Sequence, residues 1–423
     1  MLKLNHLPRS QKLCLCMIVK NEAGVIARAL DSVLPWIDIW CVLDTGSTDG
    51  TQEIIRKKLR HLNGHLFQGV DPQGKGVPDF SFEGAHYVGF ADARNLARRL
   101  ALTEHPDYLL LVDADETVEF HVTRPETLDK DGYLWVVDTG HDLVPRFGII
   151  RADERWVYSG PCHEVLRWVT PDNAMPNCEI QRGIKINAIN LDGARSREGL
   201  IVKFGNDAKT LCKWLMTHPD DMRSWYYYGR VCAAGGNHSA AITAFMRRIE
   251  NPGLGDQQEV YHAAYSLGCI FEVAEEDLAE AEKWYRVAHD LRPGRKETIG
   301  HLARILRLQG RYADAMEMIA NIIDLPDTGD ALAVEPAWYR WAHREEYAHI
   351  HFAAGYPKKA ANTLVDLLKS SSLPQTEMER INKNLQFLVK TIAEADNASS
   401  STPGEVAHDE GSGVLAGAES SVL

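Results

Sequence analysis

The first third of the chain alternates short apolar runs with segments whose apolar residues recur at helical spacing. The runs predict buried strands, and the periodic segments predict amphipathic helices. This alternation is typical of a largely parallel sheet covered by helices, in which ligands bind beyond the carboxyl ends of the strands. The polar residues after Val19, Leu43 and Val112 should therefore converge on one edge. Strands are predicted at 13–19, 40–43 and 108–112, and helices at 21–37, 52–59 and 92–102.

Two connections in this region have a recognisable local character. Ser47, Thr48 and Asp49 are candidate N-caps for the helix at 52–59, because their side-chain oxygens can accept its unpaired amides. The glycine-rich stretch 69–89 has no clear period, and we expect a loop with short strands there.

From about residue 200 the sequence is helical and repeats itself. Three segments place small and aromatic residues at tetratricopeptide spacings, and a fourth does so loosely. We expect three to four stacked helix pairs, which bury their apolar faces only against one another. The matching positions are Trp225, Tyr228, Gly229, Cys232, Ala241 and Phe245; Leu267, Gly268, Phe271, Ala281, Tyr285 and Pro293; Leu302, Ala303, Leu306, Ala315 and Ile319; and Tyr347, Ala348, Ala360 and Leu364.

These patterns divide the chain into three parts. Residues 1–200 are assigned to an α/β domain and 201–395 to an all-α repeat domain. Residues 396–423 are rich in Ser, Gly and Ala, acidic and poor in large apolar side chains, so they are predicted to be a disordered tail.

Composition narrows the partners and the compartment. A net charge of -13 over 423 residues disfavours a general nucleic-acid binder, although a local basic patch stays open. The first twelve residues are polar and broken by Pro8, unlike a signal peptide, and no apolar stretch of about 20 residues is present to span a bilayer. The eight cysteines show no metal-finger spacing and are expected to be reduced and structural. A cytoplasmic protein is the expectation.

An Asp-Ala-Asp triplet, Asp113 to Asp115, follows the predicted buried strand at 108–112 and precedes Glu116. A dication that bridges two phosphates needs hard oxygen ligands on a rigid edge. Such a triplet also arises by chance or as a capped turn, so its weight comes from its place at a strand end.

Asp44 ends the second predicted strand, before a Gly/Ser/Thr turn that exposes backbone amides. It is either a ligand contact or part of an Asx turn that caps the next helix. Lys20, Asn21 and Glu22 follow the first strand, and they are either ligand contacts or residues at the start of the next helix.

Two further pairs of residues are candidates. His163 and Glu164 lie in a loop and can supply a metal ligand and a general base, or they are ordinary surface polar residues. Arg94 and Asn95 open one face of an apolar helix, where an arginine can pair with phosphate or belong to a solvated turn.

At this point the sequence resembles family 2 glycosyltransferases of the GT-A fold. Four or five motifs occur in the family's order over about 150 residues, which is far more specific than any one of them. The subgroup that fuses this domain to tetratricopeptide repeats is similar as well, and it includes enzymes that glycosylate bacteriocin peptides on cysteine. The matching stretches are LCMIVKNE at 15–22, VLDTGSTDGT at 42–51, ADARN at 91–95, LVDADE at 111–116 and GPCHE at 160–164.

The resemblance implies a role for each matching residue. Asp113 contacts ribose or metal, Asp115 acts in catalysis by binding Mn²⁺ or Mg²⁺ on the diphosphate, and His163 stands where a third metal ligand is possible. Glu164 falls near the position where family members hold the acidic catalytic base, although many members have a Glu-Asp pair there; either Glu164 is the base, or another acid such as Glu116 takes that role. Donor contacts are implied for Ile18, Val19, Lys20, Asn21, Glu22, Asp44, Gly46, Ser47, Arg94 and Asp113.

The implied reaction is a single displacement with inversion from a nucleotide-sugar, with UDP the expected nucleotide. A polypeptide acceptor fits helical repeats, whose concave surfaces suit peptides, although a homodimer or simple bracing of the transferase domain would explain the repeats nearly as well. The alternatives are a modified DNA base or a lipopolysaccharide glycan as acceptor, or a non-catalytic scaffold with a nucleotide-binding domain.

Overall fold

The computed structural model describes residues 10–68, 90–138, 143–188 and 199–401, apart from 321, 323, 324, 327, 331, 371 and 372. The chain forms two compact units, of which the first ends at Thr217 and the second begins at His218. The sequence predicted this boundary between residues 200 and 201. In the structure, helix α4 (Leu200–Leu215) belongs to the first unit. The predicted loop at 69–89 and residues 402–423 of the predicted tail lie outside the described residues.

One sheet organises the described part of the first unit. Its eight strands have the order β3-β2-β1-β4-β7-β6-β10-β5, and strands β8 and β9 form a separate antiparallel hairpin. The pairs β3/β2, β2/β1, β1/β4 and β6/β10 are parallel, so the mostly parallel α/β prediction is confirmed. The strands are β1 Leu13–Val19, β2 Ile39–Asp44, β3 Asn63–Gln68, β4 Tyr108–Leu111, β5 Thr117–Phe120, β6 Gly132–Asp138, β7 Leu143–Arg151, β8 Trp156–Ser159, β9 Val165–Trp168 and β10 Cys178–Asn187; the helices before α4 are α1 Ile26–Val33, α2 Thr51–Leu59 and α3 Phe90–Leu102.

Strand β1 lies between β2 and β4 and is apolar throughout because both of its faces are covered. Alternate side chains of a strand point to opposite faces. Leu13 and Leu15 accordingly join the core that includes α1 residues, while Cys14 and Cys16 join the core that includes α3 residues. All eight cysteines are described and free, and burial raises the pKa of Cys16 to about 12, so that thiol stays protonated at neutral pH.

Two helix starts differ from the sequence predictions. Helix α1 begins at Ile26 rather than at Asn21, because Asn21 has a left-handed backbone (φ 57) that a right-handed helix cannot include. The N-cap of α2 is Gly50, at φ 92, and this glycine has no side chain with which to cap the helix. Asp49 still accepts the Thr51 amide at 3.1 Å. The prediction of Ser47 and Thr48 as N-caps is therefore wrong. The N-cap position has a left-handed backbone, which glycine adopts without strain.

The second unit contains the expected helix pairs, α5/α6, α7/α8, α9/α10 and α12/α13. A Cβ on Gly229 would lie 2.6 Å from the Phe245 ring, and one on Gly268 would lie 2.5 Å from the Tyr285 ring. Glycine at this repeat position lets the two helices of a pair pack closely. The helices are α5 Met222–Ala234, α6 His238–Ile249, α7 Gln257–Val273, α8 Leu278–Leu291, α9 Lys296–Leu308, α10 Tyr312–Ala320, α11 Pro336–Arg340, α12 Ala342–Ala353, α13 Pro357–Leu368 and α14 Gln375–Ser401.

Helix α14 continues to Ser401, so the first six residues of the segment predicted as a tail from 396 are helical. Across the described ranges, no helix combines the length and the apolar character needed to cross a bilayer.

Candidate active site

The loops that follow β1 and β2 are hydrogen-bonded to each other. The Asn21 amide donates to Ser47 Oγ at 2.9 Å, and the Thr48 amide donates to Asn21 Oδ1 at 2.8 Å. The Glu22 amide donates to Thr51 Oγ1 at 2.8 Å. Asparagine is among the residues that tolerate the left-handed backbone found at position 21. The two strand ends therefore converge as the sequence indicated, and side chains of the second loop fix the backbone of the first.

The other residues near the end of β1 that were predicted to contact the donor differ in their exposure to solvent. The side chain of Val19 lies in the core, and its carbonyl accepts the Thr45 amide at 2.9 Å. Ile18 is half-buried, whereas Lys20 is exposed. A ligand at this edge can thus meet the lysine directly, while Val19 is committed to the sheet and the turn.

Asp44 is buried, with 1% of its surface exposed, at the end of β2. Its Oδ1 accepts the amides of Gly46 and Ser47, both at 2.7 Å. Its Oδ2 is also buried and has no hydrogen-bond partner among the described residues. A buried acceptor without a donor is costly, so a ligand N–H at this position would be stabilising. Both interpretations of Asp44 are compatible with this geometry: one oxygen forms the turn, and the other lacks a partner among the described residues.

Five charged side chains form an arginine–carboxylate cluster beyond β4: Arg94, Asp113, Glu116, Arg146 and Glu164. Arg94 contacts Asp113 through Nη1 at 2.8 Å and Glu164 through Nε at 2.5 Å. Arg146 binds both oxygens of Glu116, at 2.9 and 2.5 Å, and its Nη1 lies 3.7 Å from Asp113 Oδ2. Each arginine therefore links Asp113 to a second carboxylate.

The cluster determines the charge of its members. Burial favours the neutral form of Asp113, but Arg94 and then Arg146 outweigh burial and lower its pKa to about 2. Burial likewise opposes the charge of both arginines, yet the neighbouring carboxylates raise the pKa of each above its usual value. Asp113 and both arginines are consequently ionised at neutral pH.

Helix α3 and the β8/β9 hairpin bring Arg94 and Glu164 together. Asn95 Nδ2 donates to the Tyr158 carbonyl and Asn95 Oδ1 accepts the Tyr158 amide, both at 2.8 Å. The Arg94 guanidinium lies 5.6 Å from the centre of the Tyr158 ring. Asn95 therefore holds the hairpin against α3, and the adjacent Arg94 belongs to the arginine–carboxylate cluster rather than to a solvated turn.

Glu116, the alternative base, is 5% exposed and its Oε2 also accepts the Asp113 amide at 3.0 Å. With both oxygens bound by Arg146, this carboxylate braces the cluster. Glu164 is bound by Arg94 through Oε1 and is the member of the hairpin loop that reaches the cluster.

The structure brings the three predicted metal ligands together only in part. Asp113 contacts arginines, Asp115 is half-buried on the same turn, and His163 is exposed with a left-handed backbone (φ 55). Within the described ranges, no three His, Cys, Asp or Glu side chains are grouped to hold a metal ion. Mg²⁺ beside nucleotides is usually held by one or two carboxylates together with phosphate oxygens, and the Asp113–Asp115 turn fits that arrangement.

Sequence reasoning missed Arg146, which lies on β7 and supplies two contacts to Glu116. The one local signal was an arginine in the middle of a strand whose other residues, before the terminal Arg151, are apolar. Its partners are about 30 residues away, so no motif spacing marks it.

Comparison with known proteins gives matches in both units. Residues 14–125 match the model described as Glycosyl transferase family 2, a range that ends before Arg146 and Glu164. No curated protein matches the chain. Similar solved structures include MamA from Desulfovibrio magneticus RS-1, with 16% identity over 44% of this chain and 88% of that one, at a TM-score of 0.33.

Two tetratricopeptide proteins are also similar. YrrB, described as having an unusual peptide-binding site, has 15% identity over 41% of this chain and 81% of its own, with a TM-score of 0.31. A thermophilic protein from Thermus thermophilus has 15% identity over 45% of this chain and 94% of its own, with a TM-score of 0.31.

Together with the mostly parallel sheet and its strand-end acids, the family match identifies residues 14–125 as a glycosyl transferase family 2 domain.

Proposed function

We propose that this protein transfers a sugar from a UDP-sugar to a nucleophilic side chain of a polypeptide, in a metal-dependent inverting reaction. The observation that carries the proposal is the position of Asp44 relative to Asp113. Asp44 at the end of β2 pairs with Val19 of β1, and Leu111 at the end of β4 pairs with Cys16 of β1. Asp113 comes two residues after Leu111, so it lies near the level of Ile18. Because β1 separates their strands, the two acids lie about 10 Å apart across the edge. This separation suits a nucleoside diphosphate with its base at Asp44.

The unpartnered oxygen of Asp44 favours particular bases. Neutral uracil, thymine and guanine each carry a ring N–H that can donate to Oδ2, whereas the ring nitrogen of cytosine at the equivalent position is an acceptor. A carboxylate that accepts such a bond in a buried site binds strongly and selectively. Asp44 is therefore compatible with a uridine nucleotide, as it is with thymidine and guanosine nucleotides, and it disfavours a cytidine nucleotide.

The diphosphate would lie at the arginine–carboxylate cluster. The planar guanidinium of Arg94 can bind two phosphate oxygens at once. Asp113 and Asp115 would hold Mn²⁺ or Mg²⁺ there, with His163 as a third ligand, and the bound ion would neutralise charge on the departing diphosphate. Arg146 would keep the Asp113 carboxylate ionised and in position.

Glu164 is the proposed general base. The acceptor oxygen or sulfur would attack the anomeric carbon as the bond from that carbon to the diphosphate breaks, and the diphosphate would leave with the electron pair. The acceptor's proton would pass to the Glu164 carboxylate. In the structure Arg94 binds Glu164. Phosphate would compete for Arg94 and leave Glu164 available for the acceptor, so the donor is expected to bind first.

A polypeptide acceptor is supported by the four helix pairs, because repeats of this kind present extended binding surfaces. The same surfaces suit a homodimer, which would be measured independently of transfer by the molar mass in solution.

The proposal is tested by nucleotide release from UDP-, GDP- and dTDP-sugars with Mn²⁺. We expect release from the UDP-sugar by the wild type and little release by Asp115→Ala. Glu164→Gln should bind the donor normally and lose transfer, which mass spectrometry of a co-expressed acceptor would detect as a hexose-sized addition. A wild type that binds none of these nucleotides would favour the scaffold alternative, and unchanged transfer by Glu164→Gln would remove that residue from the mechanism.

A further inference from the structure

The connection between α10 and α11 is long for this repeat array. Helix α10 ends at Ala320 and α11 begins at Pro336, which leaves 15 residues, whereas three residues separate α5 from α6. Connections of this length in compact domains commonly have a function. Four described residues of this connection bond to helices of the two preceding pairs or to the turn between α8 and α9: Asp330, Leu332, Ala333 and Glu335.

Side chains of the repeats bind the backbone of this connection. Arg295 donates to the carbonyls of Leu332 and Ala333, at 3.2 and 2.7 Å. Gln258 Oε1 accepts the Leu332 amide at 3.0 Å, and Glu297 Oε1 accepts the Glu335 amide at 2.8 Å. Main-chain groups of a short segment are thus bound from both α7 and the start of α9. Protein grooves bind extended peptides by the same kind of main-chain hydrogen bonding.

Two acidic side chains of the connection also have defined partners. Asp330 lies 3.2 Å from Arg292 and 3.5 Å from Arg295. The hydroxyl of Tyr265 donates to Glu335 Oε1 at 2.5 Å. These partners select an acidic residue at each of two positions that are five residues apart.

Arg295, which makes the most contacts of these side chains to the connection, is held rigidly. Arg295 is fully buried, its guanidinium lies 4.4 Å from the centre of the Tyr261 ring, and Glu297 binds its Nε at 3.1 Å. Tyr261 is itself fixed by Thr298, at 2.8 Å. A preorganised guanidinium loses little freedom when it binds a carbonyl, which favours a binding role.

The bound segment is in a strained conformation. Ala333 has a left-handed backbone (φ 51), which is unfavourable for an alanine, and Arg295 binds the carbonyl of this residue. The contacts therefore hold a conformation that the free segment would seldom adopt.

We propose that Gln258, Tyr265, Arg292, Arg295 and Glu297 form a docking groove for an extended acidic polypeptide segment. Residues 330 and 332–335 occupy this groove in cis, and an acidic segment of a partner protein binds by displacing them. The groove lies in the repeat unit and its binding does not depend on sugar transfer.

The experiment measures binding of a fluorescent peptide with the sequence of residues 326–337 to the full chain. A released variant, Asp330→Asn with Glu335→Gln, loses both carboxylates of the cis segment. We expect it to bind the peptide at least about tenfold more tightly than the wild type, where the cis segment competes at an effective concentration of order millimolar. The matched controls are a peptide with the same two substitutions and the released variant that also carries Gln258→Ala, both of which should bind weakly.

A second measurement needs only the wild type. Amide hydrogen exchange at Leu332 and Glu335 should become faster on titration with millimolar peptide, because displacement removes their acceptors on Gln258 and Glu297. The proposal is overturned if the released variant keeps its helical circular dichroism but binds the peptide no better than the wild type. If the released variant does not fold, unchanged exchange in the peptide-titrated wild type overturns it.

Discussion

Asp44→Asn changes the ligand-facing atom of residue 44 and little else. Oδ1 accepts the amides of Gly46 and Ser47, so the carbonyl oxygen of the introduced asparagine has to take that position. Its amide nitrogen then takes the place of the buried Oδ2, which has no partner among the described residues. An acceptor is thereby replaced by a donor without a change in shape. Since the turn keeps both of its hydrogen bonds, we expect the variant to fold.

The expected loss of UDP affinity follows from the one hydrogen bond that the variant cannot make. A hydrogen bond to a charged acceptor contributes about 1.5 to 3 kcal/mol, so UDP should bind roughly tenfold to 150-fold more weakly. The donor of the uracil ring would also face a donor, which adds to the loss. Cytosine offers a ring acceptor instead, so CDP should bind the variant more tightly than it binds the wild type. The expected result is an inverted UDP-to-CDP preference rather than a uniform weakening.

Isothermal titration calorimetry with UDP and CDP in the presence of Mn²⁺ measures both affinities. Asp31→Asn is the matched control, because it removes a carboxylate from an exposed ion pair with Lys58 in the same unit. The control should bind both nucleotides like the wild type. If Asp44→Asn keeps its melting temperature and also keeps the wild-type preference for UDP, Asp44 does not contact the base and our reasoning about Oδ2 is wrong.

Three other predictions concern the cluster, the hairpin and the repeats. Arg146→Gln should raise the pKa of Asp113 from about 2 toward its usual value, because one of two neutralising cations is lost; carboxyl NMR titration measures this, and an unchanged midpoint contradicts it. Because the native pKa is depressed, the ionised carboxylate stabilises the fold above about pH 4 and that contribution disappears as the pH falls through about 2. Asn95→Ala should remove two hydrogen bonds, lower the free energy of unfolding by about 1 to 3 kcal/mol, and reduce transfer more than nucleotide binding; equal losses in both would contradict a role confined to the hairpin. Gly268→Ala should destabilise the repeats by about 1 to 3 kcal/mol, since its Cβ would lie 2.5 Å from a tyrosine ring of α8, whereas Gly253→Ala, with open space, should unfold in urea like the wild type.

The sequence alone determined the order and type of the main elements. Strands β1, β2 and β4 were visible because a strand that is covered on both faces must be apolar along its whole length. The helix pairs were visible because the close contact at Gly229 and Gly268 recurs at a fixed spacing. The acids Asp44 and Asp113 stood out since a polar residue directly after a buried strand must lie at the sheet edge.

Only the tertiary structure decided which side chains meet at that edge. Arg94 binds Glu164 across 70 residues because Asn95 holds the hairpin, and Arg146 reaches Glu116 because β7 lies beside β4. The docking groove likewise depends on a connection whose partners lie 35 to 74 residues earlier in the chain. Periodicity is a local property that the sequence displays directly. Pairing between distant charges depends on how whole elements pack, and no spacing along the chain encodes it.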